Sequence, residues 1–168
     1  MSDILFSQKT ISHAIARLAT QLNLAYHDKD LIIICVLNGA FMFFSDLVKQ
    51  ISIPHRIDFV KISSYGNDQK PGKIEWILKP TLDVKGQDIV VVDDIIDTGN
   101  TAKFITSNLR LHNANSVTVC ALLSKMENRK WSIFAPCIGF DVQHDPFVFG
   151  YGLDLDGRER NLVNIYAK

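Results

Sequence analysis

Hydrophobic residues recur along this chain at two alternating spacings, which predict alternating helices and strands. Over residues 11–24 the apolar positions recur every three or four residues, with Ser and Thr upstream as caps, which predicts an amphipathic helix. The run Leu31–Leu37 is continuously apolar and rich in β-branched residues, which is typical of a strand buried on both faces. It ends at Asn38-Gly39, and a helical pattern over residues 41–51 follows. A buried strand, a turn and a covering helix indicate an α/β sheet.

The same alternation continues to the end of the chain. It predicts strands over residues 57–63, 74–78, 89–92 and 117–123, a helix over about 100–112, and shorter apolar stretches at 137–140, 147–149 and 163–166. Residues 65–72 are polar and rich in helix and strand breakers, which predicts a loop. Because no repeat or linker interrupts the pattern, the sequence predicts a single α/β domain over residues 1–168.

Composition and charge narrow the classes of protein that fit. The 168 residues are 47% hydrophobic and 21% charged, and 18 basic residues balance 18 acidic ones, so a nucleic-acid-coating or membrane-surface protein with a large positive field is disfavoured. No run approaches the roughly 18 apolar residues that span a bilayer, and the N-terminus lacks the features of a signal peptide. We therefore expect a cytoplasmic protein whose three cysteines, Cys35, Cys120 and Cys137, are buried free thiols.

The chemically informative segment follows the predicted strand at residues 89–92. Three carboxylates, Asp93, Asp94 and Asp97, precede a small glycine-containing stretch that opens a helix and consists of Thr98, Gly99, Asn100 and Thr101. Backbone N–H groups at such a helix start hold phosphate, whereas carboxylates suit hydroxyl groups and hard divalent cations. A ribose phosphate with magnesium suits both groups, because its phosphate can bind the N–H groups while its hydroxyls and the cation bind the carboxylates. One aspartate could be explained as a helix cap, but three beside Thr-Gly favour a ligand site. The sequence lacks the nucleotide-binding patterns G-x-x-x-x-G-K-[ST] and G-x-G-x-x-G.

The segment Asp93-Asp94-Ile95-Ile96-Asp97-Thr98-Gly99 resembles the phosphoribosyl diphosphate (PRPP) motif of type I phosphoribosyltransferases, in the form typical of their hypoxanthine-guanine branch. Further matches follow in order from Leu31 to about Tyr166, including Val36-Leu37-Asn38-Gly39 and Leu122-Leu123-Ser124-Lys125. The resemblance implies a mainly parallel central sheet flanked by helices. It also implies a PRPP-binding core over about 31–135 and a small purine-binding hood, over about 136–168 with help from the N-terminus.

The resemblance also implies a reaction and a set of site residues. A purine nitrogen displaces pyrophosphate from C1 of PRPP, with Asp97 as general acid/base at purine N7. Asp93 and Asp94 would bind the ribose hydroxyls, directly or through magnesium, and Asp97 with Thr98, Gly99, Asn100 and Thr101 would surround the 5′-phosphate. The remaining assignments are Lys125, Phe147, Val148 and Asp154 for the purine; Asn38, Gly39, Arg160 and Arg129 for pyrophosphate; and Asp93, Asp94 and Asp154 for magnesium. Ser64 and Tyr65 would begin a loop that covers the site, and the Leu37–Asn38 peptide bond would be cis.

Two positions depart from the pattern of the family. Asp93 stands where glutamate is usual, and Asn38 stands where lysine is frequent, which removes a positive charge near the expected pyrophosphate site. The expected substrates are PRPP and hypoxanthine or guanine, giving the nucleoside monophosphate. A preference for xanthine stays open because Lys125 and Phe147 suit any six-oxopurine, and an RNA-binding regulator with the same fold is a further alternative. The resemblance also leads us to expect a homodimer or homotetramer.

Overall fold

The computed structural model describes residues 3–65 and 73–168. Within these ranges the elements follow in the order β1 (Asp3–Phe6), α1 (Gln8–Ala25), β2 (Leu31–Leu37), α2 (Phe41–Val48), β3 (His55–Tyr65), β4 (Lys73–Leu78), β5 (Asp88–Ile96), α3 (Asn100–Leu111), β6 (Ser116–Ser124), a 3-10 turn (Met126–Asn128), β7 (Cys137–Asp141), β8 (Val148–Phe149) and β9 (Ile165–Ala167). The predicted helices and strands are confirmed, with shifts of a few residues at their ends. Most of the predicted loop at residues 65–72 lies outside the described residues.

Two local details explain where the predictions fell short. Helix α1 begins before residue 11 because the Ser7 hydroxyl caps it, accepting a hydrogen bond from the Thr10 N–H at 3.2 Å. Strand β1 escapes prediction because its residues are largely exposed and show no alternation.

The central sheet has the strand order β4-β3-β2-β5-β6-β7. Strands β3, β2, β5, β6 and β7 are parallel, and β4 joins the edge antiparallel to β3. The mainly parallel α/β class is thereby confirmed. In such a sheet the carboxyl ends of β2, β5 and β6 meet at one edge, which is where ligands bind in open α/β folds.

Both faces of this sheet are covered, which explains the continuous apolar run of β2. Its odd-numbered residues, Leu31 to Cys35, belong to the core that packs under α1 and α2. Its even-numbered residues, Ile32 to Val36, belong to a second core under α3. A strand with helices on both sides has no solvent-facing positions, so its sequence does not alternate.

A second, three-stranded antiparallel sheet of order β1-β9-β8 joins the two ends of the chain. Strand β7 also lies in the range 136–168 predicted for the hood, but it pairs with β6 in the central sheet. Stacking of Phe6 on Phe140, with 4.0 Å between ring centroids, fastens the small sheet to β7.

The three cysteines are buried and free, as predicted. Within residues 3–65 and 73–168, none of the helices combines the length and the apolar character needed to cross a membrane.

Candidate active site

A cavity of about 770 Å³ lies at the carboxyl edge of the central sheet. Its size suits a small molecule. Most of the predicted site residues line it: Asn38, Gly39, Asp93, Asp94, Asp97, Thr98, Gly99, Asn100, Thr101, Lys125, Phe147, Val148, Asp154 and Arg160. These residues come from the ends of three strands and from the small sheet, so the fold assembles one site from segments that are far apart in the chain.

The acidic pair lies inside a strand and not after it. Strand β5 continues to Ile96, four residues beyond the predicted end at Val92, because its pairing with β6 extends past Asp93 to Ile96. Asp93 is 5% exposed, and its carboxylate accepts a hydrogen bond from the N–H of Asp94 at 3.1 Å. Asp94 accepts one from the N–H of Ile95 at 2.8 Å. The tertiary pairing thus buries charge that the local sequence would place in a turn.

Burial disfavours the ionisation of both carboxyl groups. Burial raises the pKa of Asp93 well above its ordinary value, and the neighbouring charge of Asp94 raises it further. Burial also raises the pKa of Asp94, although the Arg160 guanidinium favours its charged form. No lysine or arginine in the described parts of the chain forms an ion pair with either carboxylate. The pair therefore attracts a cation or hydroxyl donors.

Gly39, in the turn after β2, leaves the space that the Asp94 carboxylate occupies. A Cβ built on Gly39 would overlap the carboxylate of Asp94. Any larger residue at position 39 would displace the Asp94 carboxylate. The preceding peptide bond, Leu37–Asn38, is cis, as the resemblance implies.

The glycine-containing stretch forms a tight loop that opens α3. Gly99 is the N-cap of this helix and has a φ of 82°, a left-handed conformation that favours glycine. The first N–H groups of α3 have no partner within the helix, and its first turn contains no acidic residue. The loop therefore offers backbone donors and a helix dipole to an anion.

A neighbouring segment, Asn128 to Trp131, holds this loop from outside. The N–H of Lys130 donates to the carbonyl of Thr98 at 3.0 Å, and the Trp131 indole N–H donates to Asn100 Oδ1 at 2.7 Å. The Asn128 amide donates to Asp97 Oδ1 at 2.9 Å. The loop is thus fixed before any ligand binds.

Lys125 and Phe147 form the other end of the cavity. Lys125 follows β6 directly and is only 9% exposed, and its ammonium donates to Asp145 Oδ1 at 2.6 Å. Phe147 is 51% exposed although most phenylalanines are buried. Val148 is buried in β8 beside it. An exposed ring and a buried ammonium suit a flat ligand that carries an acceptor.

Asp154 and Arg160, on the segment between β8 and β9, form an ion pair with each other. Arg160 Nη2 lies 2.7 Å from Asp154 Oδ1, and Nη1 donates to the carbonyl of Gly152 at 2.6 Å. The second carboxylate oxygen of Asp154 accepts the N–H of Gly157 at 2.9 Å. Both oxygens of Asp154 are therefore occupied, although the side chain lines the cavity.

The residues fit a magnesium ion that arrives with its ligand. Among the described residues, no three His, Cys, Asp or Glu side chains are grouped to hold a metal. Magnesium sites commonly use one or two carboxylates and take the remaining oxygens from substrate phosphates and water. The adjacent Asp93 and Asp94 provide that kind of partial site.

One predicted residue whose side chain is described, Arg129, is not brought into the cavity. Its Nη2 instead donates to the buried Ser124 Oγ at 2.9 Å. The predicted covering loop that starts at Ser64 and Tyr65 falls largely outside the described residues, as do the side chains of both residues, although their backbone ends β3.

Four residues at or near the site escape sequence reasoning: Asn128, Trp131, Asp145 and Asp156. None lies in a recognisable motif, and each reaches the site through loops. No local signal could have found them.

Comparison with known proteins gives a consistent result. The model of the phosphoribosyl transferase domain matches residues 1–156. A hypoxanthine phosphoribosyltransferase from Haemophilus influenzae is 37% identical over 95% of this chain and 91% of its own. A hypoxanthine-guanine phosphoribosyltransferase from Mycobacterium bovis is 35% identical over 98% and 85%. The crystal structure of a hypoxanthine-guanine phosphoribosyltransferase from Bacillus anthracis superposes with a TM-score of 0.94 at 34% identity, covering 99% of this chain and 98% of that one.

Proposed function

The chain belongs to the phosphoribosyl transferase domain family, and from this membership and the residues of its cavity we propose that it transfers the phosphoribosyl group of PRPP to hypoxanthine or guanine. The products would be the purine nucleoside monophosphate and pyrophosphate. The observation that carries the proposal is that one cavity contains the acidic pair, the phosphate-type loop and Lys125 with Phe147. Each group suits one part of the two substrates.

The loop and the acidic pair suit PRPP. Backbone N–H groups of the loop from Thr98 to Thr101 would bind the 5′-phosphate, helped by the dipole of α3. Asp93 and Asp94 would accept the ribose hydroxyls. Asn38, Gly39 and Arg160 would face the pyrophosphate, and Arg129, which donates to Ser124 and does not line the cavity, is also proposed for it.

Asp97 suits the proton transfer. As the purine nitrogen bonds to C1, the bond from C1 to pyrophosphate breaks and the purine loses a proton, which Asp97 would accept. Asp97 is exposed to the cavity, and the hydrogen bond from Asn128 occupies Oδ1 and fixes the carboxylate. Oδ2 has no donor among the described residues, so it is free to take the proton.

The opposite end suits a six-oxopurine. Phe147 would stack on the base, the backbone of Val148 would bind its edge, and the Lys125 ammonium would donate to O6. An ammonium has no acceptor capacity, so it pairs poorly with the amino group of adenine. Lys125 does not distinguish hypoxanthine, guanine and xanthine, and the assay below compares them.

Magnesium is the proposed cofactor. Asp93 and Asp94 would hold it, with Asp154 after release from Arg160, and when bound it would neutralise the charge that develops on pyrophosphate. Ser64 and Tyr65 remain proposed as the start of the covering loop. The homodimer or homotetramer and the cytoplasmic location also remain proposals, and light scattering in solution tests the first of these.

The decisive experiment is to incubate the protein with PRPP and magnesium and offer hypoxanthine, guanine, xanthine and adenine separately. We expect nucleotide from hypoxanthine and guanine and little from adenine. A higher kcat/KM for xanthine would establish the alternative preference. Absence of product with every six-oxopurine would overturn the proposed function, and RNA binding at moderate salt without any nucleotide formation would favour the regulator instead.

A further inference from the structure

The ammonium of Lys125 is held by a carboxylate that no motif indicates. Lys125 is 9% exposed, and a charged side chain that buried requires a partner. Its partner is Asp145, 2.6 Å away, which stands on the loop between β7 and β8 and is 20 residues distant in the chain. The ion pair therefore joins two segments that only the fold brings together.

The backbone of this loop is shaped to present Asp145. His144 and Asp145 are consecutive non-glycine residues in the left-handed region, with φ values of 62° and 46°. Such conformations persist where surrounding structure imposes them, and they are common at ligand sites. Phe147, which faces the cavity, follows two residues later. The turn thus positions both Asp145, which pairs with Lys125, and the Phe147 ring.

Asn128 links Asp145 to the proposed acid/base. Its Nδ2 donates to Asp97 Oδ1 at 2.9 Å, and its side chain is also near enough to Asp145 to lower the pKa of that carboxyl. Lys125 and, to a lesser extent, Asn128 lower the pKa of Asp145, so its carboxylate is ionised at neutral pH. The hydrogen bond from Asn128 to Asp97 and the ion pair of Lys125 with Asp145 are therefore neighbours, with Asn128 next to Asp145.

We propose that Asp145 is a positioning and specificity-determining residue, which fixes the Lys125 ammonium to bind an oxygen at C6 while Asn128 fixes Asp97 for N7. This inference rests on the proposed function. The spacing of the two contacts along one face of a purine would then be set by the protein before the base binds. Asp145 takes one N–H of the ammonium, and the donors that remain can face the cavity.

The test measures steady-state kinetics of Asp145→Asn with hypoxanthine, adenine and PRPP varied in turn. We expect KM for hypoxanthine to rise about tenfold, KM for PRPP to stay within about twofold, and the preference in kcat/KM for hypoxanthine over adenine to fall. Asp145→Glu, which keeps the charge, should recover part of the loss. Asn128→Ala should lower kcat about fivefold with a smaller change in KM for hypoxanthine.

Glu127→Gln is the matched control, because Glu127 is an exposed carboxylate two residues from Lys125 for which the described structure provides no hydrogen bond or ion pair. It should keep all constants near wild type. An unchanged KM for hypoxanthine in Asp145→Asn, an equal rise in KM for PRPP, or the same losses in Glu127→Gln would each overturn the inference.

Asp145 stands on an exposed loop, so its asparagine variant is expected to fold, and circular dichroism checks this. If it does not fold, Asn128→Ala decides the matter, and a wild-type kcat there overturns the inference. An active wild-type enzyme with an unaffected Asp145→Asn variant rejects this inference alone. A wild type without activity toward any six-oxopurine rejects the proposed function, and this inference with it.

Discussion

Two aspartates of the central sheet, Asp58 on β3 and Asp93 on β5, are both 5% exposed, yet their surroundings differ completely. Asp58 accepts hydrogen bonds from the backbone of Phe59, Thr81 and Leu82 at 2.7 to 2.9 Å, and a fourth from the Thr81 hydroxyl at 3.1 Å. Asp93 accepts a hydrogen bond from the N–H of its neighbour Asp94. Backbone N–H groups and a hydroxyl from a distant segment surround the first carboxylate, whereas the second interacts with its chain neighbour Asp94.

The pKa shifts follow this difference. Burial opposes ionisation of Asp58, but the hydrogen bonds from Leu82, Phe59 and Thr81 outweigh it and lower its pKa. Burial raises the pKa of Asp93, and the charge of Asp94 raises it further. Two equally buried carboxyl groups therefore have pKa values shifted in opposite directions. Asp58 stabilises the loop at Thr81 and Leu82, whereas Asp93 is disposed to bind a ligand that favours its charged form.

The largest expected effect comes from a third carboxylate, Asp97, which is exposed to the cavity and would act on the substrate directly. Asp97→Asn should leave the melting temperature almost unchanged and lower kcat by about 10²- to 10⁴-fold, the range for a lost acid/base. Steady-state assay with PRPP and hypoxanthine measures it. Unchanged kinetics would remove Asp97 from the reaction.

Asp93→Asn should separate function from stability. It would remove the proposed contact to the ribose or its cation, so kcat/KM for PRPP should fall about 10- to 100-fold. It also removes a buried like charge, so the melting temperature of the free protein at pH 7 should rise, by about 2 to 4 °C for each kcal/mol gained. Calorimetry without ligands checks the second point. A fall in melting temperature would show that Asp93 is structural after all.

Asp58→Asn should show the reverse pattern. Loss of the charge-assisted hydrogen bonds should cost about 1 to 3 kcal/mol at pH 7, with kcat nearly unchanged. Because the pKa of Asp58 is lowered by folding, its contribution is present above the ordinary value of 3.8 and is lost as the pH falls through the lowered value.

The difference in unfolding free energy between wild type and Asp58→Asn should therefore be full at pH 7 and shrink below about pH 3.8. Urea denaturation over this range measures it. A difference that stays constant down to the lowest pH would contradict the assignment.

The smallest expected effect concerns Trp131, a neutral side chain that, like Asp58, makes a hydrogen bond within the protein. Trp131→Phe removes the indole N–H that holds Asn100 at 2.7 Å but keeps an aromatic ring at this position. KM for PRPP should rise about two- to fivefold, as expected for one lost hydrogen bond. Trp76, which packs on Phe104, gives the matched control, and Trp76→Phe should leave KM for PRPP unchanged. Equal values of KM for PRPP in the two variants would exclude Trp131 from positioning the loop.

The two ends of the cavity differ in how far sequence could predict them. The loop from Asp97 to Thr101 is contiguous, and its glycine and following helix make it recognisable. Lys125 and Phe147 were reached only through family resemblance, since a single lysine or phenylalanine has no local signature. Asp145 and Asn128 were missed because their role depends on distances between loops.

The sequence by itself determined the alternation of helices and strands, the two-sided burial of β2 and the acidic, glycine-containing segment. These features depend on residue spacing and short-range backbone chemistry, which a linear pattern records. Only the tertiary structure decided that β5 continues through Asp93 and Asp94, that Asp93 is buried with no lysine or arginine of the described residues paired to it, and that Asp145 holds Lys125. Burial and charge pairing depend on which segments meet in space, and 20 residues of chain separate Asp145 from its lysine.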